Sequence, residues 1–133
     1  MSEIRTTITV EVNPTEDLDK VKKAVQNIFP ASIFERTPQK KMLLLVAKIE
    51  GKAGLSKFCN LLREERILNA ARAVLLKGID GSKITFYLNK QVAYVERISF
   101  CEPLGESPLG PIRVEITCED AREFVNWLSP RSV

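Results

Sequence analysis

The chain has 133 residues, 44% of them hydrophobic and 28% charged, which suits one globular domain and excludes wholesale disorder. The longest apolar run, Met42–Ala47, is too short to cross a bilayer, and no signal peptide opens the sequence, so we expect a cytoplasmic protein without a membrane partner. The chain has no histidine, and its three cysteines are widely spaced. These features disfavour a disulfide framework, a metal site and acid–base catalysis, so we expect a non-enzymatic protein without a cofactor.

The net charge of +3 is unevenly distributed along the chain. Residues 1–19 carry a net charge of −4, residues 20–83 carry +9, and residues 84–133 carry −2. A basic middle between acidic ends is typical of a surface that binds a polyanion. The alternative is that the acidic ends fold back beside the middle and neutralise it.

The first half of the chain predicts three strands and one helix. Residues 3–12 alternate apolar and polar side chains, which indicates a half-buried strand. Asn13 is expected to cap a helix that begins at Pro14 and ends before Pro30. Residues 32–37 form a short strand, and residues 41–50 form a longer one. Because Met42–Ala47 is apolar on both faces, its second face is expected to pack against an extra helix or against a second copy of the chain.

The second half predicts a helix pair, three strands and a last helix. Leu55–Leu62 and Leu68–Lys77 have helical apolar spacing, with Asn69 as a cap of the second helix and Gly78 at its end. Strands are predicted over 84–88, 92–100 and 112–118, and a last helix begins at Glu119. A polar turn, Asn89–Gln91, is predicted between the first two of these strands and would display its side chains at an exposed tip.

Several stretches resemble a family of small archaeal proteins: Leu88-Asn89-Lys90-Gln91-Val92-Ala93-Tyr94-Val95, Ser107-Pro108-Leu109-Gly110-Pro111-Ile112, Trp127-Leu128-Ser129-Pro130 and Ile67-Leu68-Asn69-Ala70-Ala71-Arg72. Members of that family are described as predicted RNA-binding or exosome-associated proteins, and their fold is related to the ribosomal protein that binds 5S RNA. The resemblance therefore implies an RNA-binding protein with that fold, which could work within an RNA-processing complex.

Together, pattern and resemblance predict a single α+β domain. Its mostly antiparallel sheet, in the order β-α-β-β-α-α-β-β-β-α, is covered by helices largely on one face. The expected partner is RNA, and the alternative is a protein–protein module such as a homodimer. The candidate phosphate contacts and polar readers are Lys22, Lys23, Lys40, Lys41, Arg66, Arg72, Lys77, Lys83, Asn89, Lys90 and Gln91.

Two sequence motifs favour structural interpretations. Gly78-Ile79-Asp80-Gly81 matches the Gly-x-x-Gly of KH domains, but the strand after it and its acidic residue favour a helix end followed by a turn. Phe86 alternates into the core, which leaves Tyr87 as the one residue of that strand available to stack on a base.

Cys59 and Cys118 lie on apolar faces and are expected in the core.

Overall fold

The computed structural model describes residues 4–30, 32–38, 42–101 and 110–129. Six strands and five α-helices occur in this part of the chain, and a single 3₁₀ turn, Ala53–Leu55, precedes the second helix. The elements in chain order are β1 (Arg5–Val12), α1 (Leu18–Ile28), β2 (Ile33–Pro38), β3 (Leu43–Glu50), α2 (Ser56–Glu64), α3 (Leu68–Lys77), β4 (Ile79–Asp80), β5 (Lys83–Leu88), α4 (Lys90–Ala93), β6 (Ile112–Thr117) and α5 (Ala121–Leu128).

The strands form one antiparallel sheet in the order β2-β3-β1-β6-β5-β4. The N-terminal strand β1 lies at its centre, where Ile8 pairs with Ala47 of β3 on one side and with Val114 of β6 on the other. All three residues are fully buried. The predicted α+β class with an antiparallel sheet is therefore confirmed.

The helices cover one face of this sheet. Along β1, even-numbered residues are buried and odd-numbered residues are exposed or half-exposed, and the paired strands repeat this alternation. The covered face packs around three stacked rings: Phe29 lies 5.3 Å from Phe58, which lies 5.6 Å from Phe86. We call the opposite side, with residues 5, 7, 9 and 11 of β1 and their cross-strand partners, the open face.

Two predicted helix caps are wrong. The carboxylate of Asp17, rather than Asn13, caps α1 by accepting from the amide of Asp19 at 2.9 Å. Asn13 instead forms a separate turn in which its backbone and side-chain nitrogens donate to Glu16. Helix α3 begins at Leu68, directly after Ile67, so Asn69 lies inside the helix and is not its cap. Local hydrogen-bonding residues signal a turn nearby, but packing of the apolar stripe decides where the helix starts.

The predicted strand over residues 92–100 is also wrong. The chain forms the short helix α4 directly after β5 and then a turn in which Glu96 has a φ of +57°. It returns to the sheet only at an isolated bridge between Leu88 and Phe100. Val92 and Ala93 are apolar because α4 packs against α1, not because they alternate in a strand.

Gly78 and Gly81 serve two different structural purposes, which confirms the structural interpretation of the Gly-x-x-Gly match. Gly78 ends α3 with an ordinary φ of −83°, but a Cβ there would lie 2.1 Å from the carbonyl oxygen of Thr85. Gly81 has a φ of +62° in the turn between β4 and β5, with open space around it. One glycine permits a close approach and the other a left-handed turn.

The second apolar face of β3 lies on the open face. Leu44 and Val46 are half-buried there, and no helix in the described part of the chain packs over them. The expected covering helix is therefore absent from the described residues. Among these residues, no helix is both long and apolar enough to cross a membrane.

Candidate nucleic-acid interface

The Asn89–Gln91 segment is not an exposed tip. Lys90 is fully buried, and its Nζ donates to the carbonyl oxygen of Glu11 at 2.7 Å and to Glu16 Oε1 at 3.0 Å. Burial of a charge is tolerated when it is paired and hydrogen-bonded in this way. The expectation that Lys90 meets a phosphate at the surface is wrong.

The neighbours of Lys90 divide between structure and surface. Asn89 caps α4, with its Oδ1 accepting from the amide of Val92 at 3.1 Å. Only Gln91 is exposed. The stretch that resembles the archaeal family therefore carries a helix cap and a buried ion pair, and the ion pair attaches α4 to the start of the chain.

The predicted basic residues on the helices lie apart from one another. Lys23 is exposed and Lys22 half-buried on α1, while Lys77 is exposed at the end of α3. Arg66 is exposed in the turn between α2 and α3, where its φ is +58°. Arg72 is half-buried, and its Nη1 lies 3.4 Å from the carbonyl oxygen of Ser129.

Lys83 lies on the other side of the sheet from these helices. It begins β5, points away from the buried Ile84 that follows it, and pairs with Glu115 at 3.2 Å. Lys40 and Lys41 lie outside the described residues. The predicted bases that the structure describes therefore do not converge on one surface, because helix positions and open-face positions are separated by the sheet.

The acidic C-terminal block of the chain folds back onto its basic middle. Besides the Lys83–Glu115 pair, Lys57 lies 3.6 Å from Glu96. Both pairs join the block of residues 20–83 to the C-terminal block. These contacts agree with the alternative interpretation of the charge distribution, in which acidic segments fold back beside the basic middle and neutralise part of its charge.

The open face brings an aromatic ring and an arginine together. Tyr87 of β5 is half-buried and directly opposite the exposed Arg113 of β6. Directly opposite residues of an antiparallel pair have Cβ atoms about 4.5–5.5 Å apart, so their side chains can act on one ligand. The prediction that Tyr87 faces away from the core is confirmed. Arg113 could have been found from the alternation of β6: the next residue, Val114, is buried, so Arg113 lies on the other face of the sheet.

The open face carries both signs of charge. Its strand positions include four bases and five acids among the described residues: Arg5, Lys48, Lys83 and Arg113, and Glu11, Glu35, Glu50, Asp80 and Glu115. Glu115 lies between two of these bases, 3.2 Å from Lys83 and 3.8 Å from Arg113. The face suits local aromatic and hydrogen-bonding contacts better than broad attraction of a polyanion.

The buried thiols are poor nucleophiles. Cys59 and Cys118 are both buried, as predicted. Burial raises the pKa of the Cys59 thiol above its usual value of 9.0, and the nearby Arg63 only partly offsets this. Burial, together with the charge of Asp120, also raises the pKa of Cys118. Thiols with raised pKa values stay protonated at neutral pH and do not attack substrates readily.

Two of the stretches that resemble the archaeal family contact each other. Ser129 is fully buried, and its Oγ donates to the carbonyl oxygen of Leu68 at 2.5 Å. Arg72 reaches the backbone of the same serine, as described above. These residues connect the end of α5 to the start of α3, so their role is to close the helical layer.

Comparison with known proteins assigns the chain to a family. A family model described as RNA binding matches residues 5–118. A UPF0201 protein of Metallosphaera sedula is 45% identical over 96% of this chain and 89% of its own length, and one from Aeropyrum pernix is 43% identical over 99% and 89%. The crystal structure of a UPF0201 protein from Methanococcus jannaschii, 35% identical, superposes with a TM-score of 0.87 over 97% of this chain and 95% of that one. The chain belongs to this family of archaeal proteins, whose family model is described as RNA binding.

Proposed function

We propose that this protein is a non-catalytic RNA-binding protein that contacts single-stranded RNA on the open face of its sheet. The observation that carries the proposal is the pairing of Tyr87 with Arg113 on a face that no described helix covers. An exposed base can stack on a tyrosine ring or on a guanidinium plane, and uncovered sheets with such side chains are a recurrent way of holding single strands. The family description supports the same ligand class.

Phosphate contacts would come from the bases around this pair. Lys83 and Arg113 lie on adjacent strands, and Lys48 lies across β1 from them. Because acids are interspersed, only about two or three phosphates would be neutralised. With about 0.7 logarithmic units of affinity lost per contact for each tenfold rise in salt, the log–log slope would be about −2.

The test is fluorescence anisotropy of labelled unstructured RNA over a salt series. Tyr87→Leu should weaken binding about 5- to 150-fold, since stacking on an aromatic side chain contributes about 1–3 kcal/mol per base. Arg113→Gln should weaken binding and make the salt slope shallower. Lys20→Gln, an exposed site on α1, is the matched control. Unchanged affinity in both open-face variants would contradict the proposal.

The second candidate function is self-association through the other half of the open face. Ile33, on the edge strand β2, is 79% exposed and directly opposite Lys48 of β3, on the same face as the half-buried Leu44 and Val46. An exposed edge strand with apolar side chains can pair with a second copy. Sedimentation equilibrium distinguishes the two candidates, because Ile33→Lys would dissociate such a dimer and leave Tyr87 available to RNA.

The protein could also act within an RNA-processing complex, as its resemblance to exosome-associated proteins implies. Affinity purification of the tagged protein from an archaeal host tests this. If RNA-degrading subunits are recovered only when the RNA is intact, the protein associates with them through bound RNA. Recovery after nuclease treatment would indicate direct protein contact.

A further inference from the structure

Trp127 lies on a second surface that the open-face proposal does not use. It is the only tryptophan of the chain and is 38% exposed near the end of α5. Lys52 Nζ lies 4.9 Å from the centre of its ring, on the side of the loop that follows β3. This cation–π contact stabilises the indole on that side, and part of the ring remains exposed.

Trp127 separates two concave regions of opposite character. The larger, of about 790 Å³, includes Glu119, Asp120 and Glu123 against Lys52 and Arg122, so its wall is net acidic. The smaller, of about 170 Å³, is lined by Trp127 and by the α2 residues Ser56, Cys59, Asn60 and Arg63. Only a base, and no acid, lines this second side.

The α2 side has the groups that a nucleotide requires. Ser56, Asn60 and Arg63 are four and three residues apart and therefore lie along one side of the helix. Among the described residues no carboxylate forms an ion pair with Arg63, so its guanidinium is available for a phosphate. Asn60 supplies both a donor and an acceptor for a base edge.

The size of this groove decides between a complete small ligand and part of a polymer. Small-molecule pockets usually begin at about 300 Å³. A region of about 170 Å³ is too small for such a ligand. It is suited to a single base of a longer strand, whose sugar and neighbouring nucleotides remain outside the groove.

We propose that the groove between α2 and Trp127 binds one nucleotide of single-stranded RNA, with the base stacked on the indole and the phosphate at Arg63. The acidic wall on the other side of Trp127 orients the strand, because it repels the phosphate towards α2. The inference rests on RNA being the ligand, as proposed above, but it concerns a different surface.

The single tryptophan makes this contact directly measurable. Titration with unlabelled oligouridine should quench Trp127 fluorescence at the same concentrations at which anisotropy of labelled oligouridine reports binding. Trp127→Leu should weaken binding about 5- to 150-fold, whereas Trp127→Phe should retain most of it, since a ring can still stack. Circular dichroism melting identifies any variant that does not fold.

Arg63→Gln keeps the fluorescent reporter and is the second test. It should weaken binding and lower the salt slope by about 0.7, the value for one phosphate on a single strand. Arg97→Gln, an exposed site in the turn after α4, is the matched control.

The outcomes separate the two proposals. Binding by anisotropy without quenching, and with unaltered affinity in Trp127→Leu and Arg63→Gln, overturns the Trp127 site and leaves RNA binding on the open face. Quenching with loss in those variants, but no loss in Tyr87→Leu, supports the Trp127 site and overturns the open-face site. Absence of binding by either measurement overturns both.

Discussion

Lys90 and Glu16 form an ion pair in the interior of the protein, with side chains that are 0% and 5% exposed and with Nζ 3.0 Å from Oε1. The pair joins α4 to the segment between β1 and α1. The two paired residues are more than seventy positions apart in the sequence. Glu16 also accepts from Asn13, so each charge has further hydrogen bonds. These hydrogen bonds compensate the burial of the two side chains.

Removing one charge of this pair should destabilise the protein severely. Lys90→Met leaves the Glu16 carboxylate buried without its cation, and we expect a loss of about 3–5 kcal/mol in the free energy of unfolding. Urea unfolding followed by circular dichroism measures it. Lys20→Met removes an exposed lysine from α1 and is the control. Equally small losses of stability in the two variants would mean that the Lys90–Glu16 pair does not stabilise the folded protein.

The contact between the end of α5 and the start of α3 should contribute to stability on a smaller scale. Ser129→Ala removes the hydroxyl that donates to the carbonyl oxygen of Leu68, and we expect a loss of about 1 kcal/mol. Ser82→Ala, in the exposed turn before β5, should be nearly neutral. Thermal melts of both variants test the difference, and a Ser129→Ala protein as stable as the wild type would contradict it.

The two glycines of the helix-to-hairpin connection should respond differently to substitution. Gly78→Ala places a Cβ against the backbone of Thr85, and we expect a cost of about 1–3 kcal/mol from overpacking. Gly81→Ala is strained only by its positive φ, at a cost of about 1–2 kcal/mol.

Asparagine distinguishes these causes. Because asparagine tolerates the left-handed region, Gly81→Asn should recover part of the stability that Gly81→Ala loses. Gly78→Asn should recover none, since its Cβ meets the same carbonyl oxygen. Unfolding in urea provides the comparison, and recovery at Gly78 would show that backbone conformation, not contact, constrains it.

Glu115 should restrain RNA binding on the open face. It lies within 4 Å of both Lys83 and Arg113, which are proposed phosphate contacts. Glu115→Gln should therefore raise RNA affinity by up to about fivefold, the scale of an exposed ion pair. Asp19→Asn changes the net charge equally but lies on α1. If anisotropy shows the same gain for both variants, overall charge is responsible and Glu115 has no specific role.

The buried thiols should make stability fall in mildly alkaline solution. Cys59 and Cys118 have raised pKa values in the folded protein, so in the unfolded chain they ionise first. Their contribution is fully present below the unfolded pKa and is lost as the pH rises through the folded pKa. Between about pH 8 and about pH 10, the wild type should lose more stability than the Cys59→Ala/Cys118→Ala variant. Urea unfolding at each pH checks this, and identical pH dependence would contradict it.

Local sequence patterns were sufficient to predict most of the fold. Alternation in β1, β5 and β6 placed Ile8, Phe86 and Val114 in the core, and helical spacing found α2 and α3 as separate helices. These signals are local, because the side-chain periods of strands and helices follow from backbone geometry alone. The alternation of β5 also showed that Tyr87 faces away from the core.

The surface that a polar residue occupies depends instead on contacts between segments that are distant in sequence. Lys90 looks like part of an exposed turn in sequence, but Glu16 and the carbonyl oxygen of Glu11 compensate its burial from far along the chain. Lys77 and Lys83 are close in sequence, yet their side chains lie on opposite sides of the sheet. Arg63 and Trp127 line the same small groove only because the fold brings the end of α5 near α2. Hydrogen bonds and ion pairs between distant segments leave no periodic trace, so no local pattern could have predicted them.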